Sequence, residues 1–289
     1  MRWEGNRESD NVEDRRGDGG GGGGFPIGGR SIGIGTVVLA LIGWGVFGIN
    51  PLTTIGVLSG GGSPQVQQAP AHRPAGDDQG AKFVSTVLAS TEDVWTQIFR
   101  EGGAQYQNPK LVLFTGVTRT ACGTGQSAMG PFYYPGDYKV YLDMDFFNTM
   151  SRQLGAPGEF ARAYVVAHEV GHHVQTLLGI SSQVQQARAQ VSQREGNQLS
   201  VRQELQADCL AGIWANHNQQ RTQFLEQGDV EEAMDAAQKI GDDYLQKRAT
   251  GQVVPDSFTH GSSEQRMHWF QVGLKTGDIS QCDTFNNSI

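Results

Sequence analysis

The string His168-Glu169-Val170-Gly171-His172 constrains this 289-residue chain more than any other feature. On an α-helix, positions i and i+4 lie one above the other on one face, so His168 and His172 are placed to grip a single cation with Glu169 beside them. Neutral imidazoles are good ligands for Zn²⁺, and a zinc ion with three protein ligands keeps a position for water and lowers that water's pKa to about 7. A carboxylate at Glu169 then suits the transfer of a proton from the water to a leaving amine. These residue types at this spacing fit the hydrolysis of amide bonds.

The surrounding sequence predicts a helix from Glu159 to Leu178, free of Pro and interrupted only by Gly171, with Gly179 where a helix would stop. Ala163, Val166, Val170, Val174 and Leu177 form one apolar stripe, and the two histidines fall outside it. A third ligand is available 32 residues after His172. Ser200 to Asn216 reads as a second helix, capped by Ser200 with Gln203 closing a capping box. Glu204 and Asp208 are four apart on it and project toward a common point. Glu204 is expected to ligate the metal, and Asp208 to accept the free ring N–H of a ligating histidine, His168 in the first instance.

Beyond these two motifs, Thr120-Ala121-Cys122-Gly123, Gly130-Pro131-Phe132-Tyr133-Tyr134-Pro135, Val140-Tyr141-Leu142-Asp143 and Phe258-Thr259-His260-Gly261 stand out. With HEVGHHVQ and QELQADCLAG they resemble the neutral zinc metallopeptidases of bacteria, gluzincin-like proteins anchored in a membrane. The resemblance covers about Phe83 to Phe285. It implies one catalytic domain with one zinc ion per chain held by His168, His172 and Glu204, but no known substrate; from the chemistry of the motif, the expected partner is a peptide or unfolded protein. It also implies a departure: where the family commonly has Cys, this chain has Tyr134, which removes one partner for Cys122. Cys209 and Cys282 are left either bridged or as reduced thiols, and the scattered spacing argues against cysteine as a metal ligand.

Of the remaining histidines, His173 sits about 100° round the helix from His172 and is expected behind the metal site or at the surface. His217, near a helix end, suits a capping role. His260 lies in a polar turn, Ser257 to Ser263, and a loop histidine can donate to the oxyanion that develops opposite the metal. By similarity to a late threonine-histidine segment of related gluzincins, His260 is the candidate for that role beside Glu169; a local turn histidine is the plainer reading.

The chain divides by composition. Residues 1–30 are polar and carry six consecutive glycines, Gly19 to Gly24, and are expected to be disordered. Residues 31–58 read as a membrane signal-anchor: Ile32 to Ile49 carries no charge and would span about 27 Å as a helix. Arg15, Arg16 and Arg30 precede it, so the positive-inside rule places the N-terminus in the cytoplasm and the domain on the extracytoplasmic face of the inner membrane. Residues 59–80 are a Gly/Ser/Pro/Gln tether.

Residues 81–289 have length for one sizeable core. They hold 16 Lys and Arg against 22 Asp and Glu, a net charge of −6 without a basic patch, which excludes a nucleic-acid surface. Helices are predicted over Phe83 to Phe99, Gln183 to Arg194 and Asp229 to Arg248, the last capped by Asp229, and strands over Leu111 to Val117 and Val140 to Leu142. The expected class is α+β: a single-pass anchor, then a mainly helical zincin-like domain with a small antiparallel sheet, one strand of which takes up an extended peptide. Two functions fit, a zinc-dependent endopeptidase and a non-catalytic zinc-stabilised peptide-binding module of the cell envelope. Glu169 separates them, since a structural site needs no general base.

Overall fold

The structure, a computed structural model, describes residues 1–16, 77–120, 123–126 and 130–289. The predicted anchor at 31–58, most of the tether at 59–80 and Cys122 lie outside the described residues. Among the described residues, no helix is long and apolar enough to cross a membrane.

The elements in chain order are β1 (Val12–Asp14), α1 (Gln79–Glu101), β2 (Lys110–Phe114), β3 (Val117–Thr120), β4 (Gly123–Gln126), β5 (Phe132–Tyr134), β6 (Lys139–Asp143), α2 (Asp145–Thr149), α3 (Glu159–Leu177), α4 (Ile180–Arg188), α5 (Gln193–Thr222), α6 (Asp229–Lys239), α7 (Asp242–Thr250) and α8 (Ser263–Thr276). The expected α+β class, mainly helical, is found. The sheet differs from expectation, however: it is mixed, in the order β1-β2-β6-β5, with β1–β2 and β2–β6 parallel and only β5–β6 antiparallel. The parallel pairs pack inward, with Leu111, Leu113, Val140 and Leu142 fully buried. Such continuous burial is characteristic of parallel strands covered by helices. The predicted Leu111–Val117 strand ends at Phe114, and Val117 opens a separate β3–β4 hairpin.

The helices form around α3 and α5. Trp95, Phe160, Tyr164, Trp214, Phe224 and Phe270 fill the core between α1, α3, α5 and α8. Close approach of these helices depends on glycines, Gly171, Gly212 and Gly273 among them. A Cβ on Gly171, inside the histidine motif, would lie 2.9 Å from the Ala207 carbonyl of α5, and one on Gly273 of α8 would lie 1.9 Å from the Cys209 carbonyl. Side chains at these positions would force the helices apart and separate the residues of the two motifs.

Helix α5 is longer than predicted. Ser192 caps it and Glu195 closes the capping box, while Ser200 sits inside the helix and donates to the Gly196 carbonyl. The apolar period marks only where the helix becomes buried, so the polar first turns were invisible to it. The predicted Asp229–Arg248 helix is two, α6 and α7, broken at Ile240-Gly241. Glu232 accepts from the Phe160 amide at 3.0 Å and so caps α3 instead of its own helix.

The expected disorder of residues 1–30 is wrong for residues 1–16. Strand β1 hydrogen-bonds along β2 and covers its edge, Trp3 packs edge-on against Phe83 with centroids 5.4 Å apart, and its indole donates to Glu159 at 2.9 Å. Glu92 on α1, 3 % exposed, accepts from Arg7, Ser9 and Asn11 at 3.0, 2.5 and 2.7 Å. Glu13 meets Arg15, Lys139 and Lys110; burial alone would raise its carboxyl, but these cations outweigh that and bring it to about 2. The segment is too polar to make a core of its own, and it is ordered by completing pairs that the domain leaves open.

Strand β1 pairs with β2 in parallel, so residues 1–16 pack as one unit with the domain that follows residue 77. In a Cys122→Ser background, Glu4→Cys and Gln227→Cys should therefore react equally with a membrane-impermeant maleimide on sealed vesicles of one orientation; labelling of one with protection of the other would contradict the packing.

Candidate metal centre

Helices α3 and α5 bring three ligand groups together. His168, His172 and Glu204 each offer an atom within 4.8 Å of the others, the one such group of three among the described residues. His168 Nε2 lies 3.1 Å from Glu204 Oε2 and His172 Nε2 lies 3.4 Å from Glu204 Oε1. Tetrahedral zinc with bonds of about 2.0–2.2 Å sets its ligand atoms about 3.3 Å apart, and both histidine–Glu204 spacings are close to that value. Charge fits as well. With neutral imidazoles, ionised Glu169, Glu204 and Asp208 against Arg266 leave −2, which a divalent cation neutralises.

Each imidazole presents Nε2 because its Nδ1–H is engaged behind it. His168 Nδ1 donates to Asp208 Oδ1 at 2.7 Å, and His172 Nδ1 donates to Gln175 Oε1 at 2.9 Å. Asp208 is fully buried and also accepts from the Tyr164 hydroxyl at 2.5 Å and from Arg266 Nε and Nη2 at 2.9 and 3.0 Å. Hydrogen-bonded carboxylates of this kind fix a ligand histidine's tautomer and raise its basicity. Without a metal, burial would lower His168, but Asp208 and Glu204 outweigh it and raise it to about 10. A cation at Nε2 takes the place of that proton. Burial would raise Glu204, but His172 and His168 hold it well below the usual carboxylate range.

Glu169 is 8 % exposed, and burial raises its carboxyl despite the nearby histidines. This environment suits a group that must accept and release a proton near neutrality. His260 stands within electrostatic reach of Glu204 on the loop between α7 and α8. Asp242 holds that loop: its Oδ2 accepts from the amides of Thr259, His260 and Gly261 at 2.7, 2.7 and 3.1 Å, and its Oδ1 lies 3.2 Å from His260 Nδ1. Burial would lower His260, but Asp242 raises it.

The structure thus gathers His168, His172 and Glu204 at one point, puts Asp208 behind His168, and sets Glu169 and His260 in the same charge cluster. Sequence reading missed Arg266, Tyr164, Gln175 and Asp242. Tyr164, four residues before His168, and Gln175, three after His172, share helix faces with the ligands and were open to detection. Arg266 and Asp242 reach the site only through tertiary packing. His173 is fully buried behind the site, its ring bonded to the Gln107 carbonyl at 2.6 Å and the Tyr133 hydroxyl at 3.0 Å, and burial lowers it to about 4. It tethers β5 to α3. Cys209 and Cys282 are bridged, with Cα atoms 5.7 Å apart.

Two imidazoles and a carboxylate converging from two helices, with a second carboxylate behind one imidazole, form a candidate metal centre of the HExxH type. The chain belongs to the neutral zinc metallopeptidase family: the family described as "Putative neutral zinc metallopeptidase" matches residues 1–285. It is 52 % identical over 293 residues to the uncharacterized protein YpfJ of Escherichia coli (strain K12), covering 100 % of both chains. It is 42 % identical over 215 residues to the uncharacterized protein Rv2575 of Mycobacterium tuberculosis (strain H37Rv), covering 71 % of this chain and 72 % of that one. No solved structure matches it.

Asp208→Asn should weaken zinc binding about 10- to 100-fold in chelator competition, and Tyr164→Phe, which leaves the carboxylate in place, by less. Unchanged affinity in Asp208→Asn would show that the buried carboxylate does not act on His168.

Proposed function

We propose that the protein is a zinc-dependent endopeptidase that hydrolyses peptide bonds in peptide or unfolded-protein substrates, with one Zn²⁺ held by His168, His172 and Glu204. The observation that carries the reading is Glu169, a buried carboxylate with a raised pKa one residue from a candidate metal ligand, beside a set of three ligands, the number that leaves a tetrahedral zinc one position for a reactant. When bound, the metal supplies Lewis acidity, polarising a carbonyl and acidifying water.

The chain's own residues do the rest. Glu169 accepts the proton of the attacking water and returns it to the leaving amine, a task suited to a carboxyl that burial raises. His260 donates to the oxygen that becomes anionic as the carbonyl is attacked, and Asp242 holds its ring and its loop in place for that donation. Asp208, with Arg266, keeps His168 in the tautomer that binds metal.

Substrate has room on two sides. Strand β5 is the terminal strand of the mixed sheet, antiparallel to its neighbour, and Tyr133 ties it to α3 through His173; an extended peptide laid along it passes the metal helix. On the other side, a cavity of about 770 Å³ lined by Val201, Arg202, Phe258, Gln265 and Trp269 opens beside the His260 loop. Val201 lies one helical turn before Glu204, so this cavity begins about 5 Å along α5 from the metal ligand, within reach of side chains next to a scissile bond.

Purified protein should cleave an unfolded protein such as casein, Glu169→Gln should lose cleavage by at least about a thousandfold while retaining stoichiometric zinc, and His260→Ala should lower kcat about a hundredfold with zinc unchanged. Cleavage that survives Glu169→Gln would sink the mechanism, and zinc in both proteins with cleavage by neither would point to a peptide-binding module.

A further inference from the structure

The two ligand histidines are held differently, and the difference leads away from the metal. Behind His168 stands a carboxylate; behind His172 stands a pair of buried glutamines. Gln175 Oε1 accepts from His172 Nδ1 at 2.9 Å, and its Nε2 donates to the Gln203 carbonyl at 2.8 Å and to Gln206 Oε1 at 2.9 Å. Gln206 Nε2 donates in turn to the carbonyl of Cys282 at 3.0 Å. Gln175 is fully buried and Gln206 8 % exposed, so neither amide has water as a ready substitute.

The polarity of this chain is set from its far end. A backbone carbonyl accepts only, so Cys282 fixes which end of the Gln206 amide faces it, and Gln206 then presents its oxygen to Gln175. Gln175 must point its nitrogen toward two acceptors and its oxygen toward His172. That oxygen keeps the proton on Nδ1 and the lone pair of Nε2 on the metal side. Cys282 is one half of the bridge to Cys209, which follows Asp208 on α5, and both sulfurs are buried. The only covalent tie between the C-terminal tail and the metal helix among the described residues therefore ends on the residue whose carbonyl orients the relay.

We propose that Gln206 and Gln175 are positioning residues that couple the Cys209–Cys282 disulfide to His172, so that metal affinity is higher with the bridge closed than open. This rests on the reading of His168, His172 and Glu204 as a metal site. Opening the bridge needs a dithiol reductant. Its first thiolate attacks one sulfur and expels the other, its second thiolate closes the reductant's own disulfide and releases the remaining sulfur, and two electrons and two protons leave two protein thiols. The freed tail then no longer holds the Cys282 carbonyl against Gln206. Coupling of this kind is reciprocal: whatever factor the closed bridge adds to metal affinity, bound metal adds to the bridge's resistance to reduction.

The test uses the full chain and two readouts that do not depend on turnover. Zinc affinity is measured by chelator competition for wild type, Gln206→Leu, Cys282→Ser and the double variant, and the visible absorption of each Co²⁺-loaded protein reports ligand geometry. We expect each single change to weaken zinc binding about tenfold and shift the cobalt bands, and the double variant to be no weaker than either, as for links in one chain. Affinities within twofold of wild type with unshifted cobalt spectra, or losses that add, would overturn the coupling. A wild-type protein that takes up no stoichiometric zinc would instead overturn the metal site itself. Should the variants fail to fold, the bridge of the wild-type protein is titrated in a dithiol redox buffer with free zinc clamped high or absent. A tenfold coupling lowers its potential by about 30 mV with zinc, and no shift would overturn the proposal.

Discussion

The hydrogen-bonded pair of Asp208 and Arg266 is the interaction on which the rest of the site depends. It joins three helices: Asp208 belongs to α5, Arg266 to α8, and the groups that share the carboxylate, Tyr164 and His168, to α3. A fully desolvated carboxylate is tolerable only because four donors from two neighbouring helices satisfy it. Such a pair is weak evidence for stability as a whole, since burying both charges costs about what the pairing returns, but removing one partner leaves a bare charge and costs about 3–5 kcal/mol. Its value here is positional. With the carboxylate held from behind, His168 has one orientation and one tautomer, and the glycine contacts at Gly171 and Gly273 let the helices come close enough for the pairing.

Charge is therefore graded across the metal centre. His168 is backed by an anion that is itself neutralised by Arg266, whereas His172 is backed by a neutral amide whose direction is set by backbone carbonyls. The first arrangement makes a strongly basic ligand, and the second a ligand fixed in geometry with little added charge. Burial raises the Glu169 carboxyl, and the two histidines act against that rise. A divalent ion would neutralise a site with three anionic groups, one buried cation and two neutral imidazoles; in its place Asp208 and Glu204, against burial, favour a proton on His168.

Much of this was legible before folding. The spacing of His168, His172, Glu204 and Asp208 encodes the site because helical periodicity alone places i and i+4 on one face, and α3 begins at Glu159 as the Pro-free run predicts. What was not legible depends on contacts between elements distant in sequence. Arg266 carries no sequence mark of its role, and Asp242 falls inside the predicted Asp229–Arg248 helix, until packing brings them to Asp208 and His260. The parallel pairing of β2 with β6 has no local signal, since a short apolar run reads alike in either direction. The N-terminal segment misled for the opposite reason: its composition reports that it cannot form a core alone, which is correct, and says nothing of the edge of β2 or the carboxylate of Glu92 that it completes.

Zinc K-edge X-ray absorption of the purified full-length protein tests the central claim most directly, because it reports ligand atoms irrespective of activity. The account predicts one zinc per chain with nitrogen and oxygen alone at about 2.0–2.2 Å and outer-shell scattering from two imidazoles. Sulfur at about 2.3 Å, or fewer than two imidazoles, would contradict a centre built from His168, His172 and Glu204.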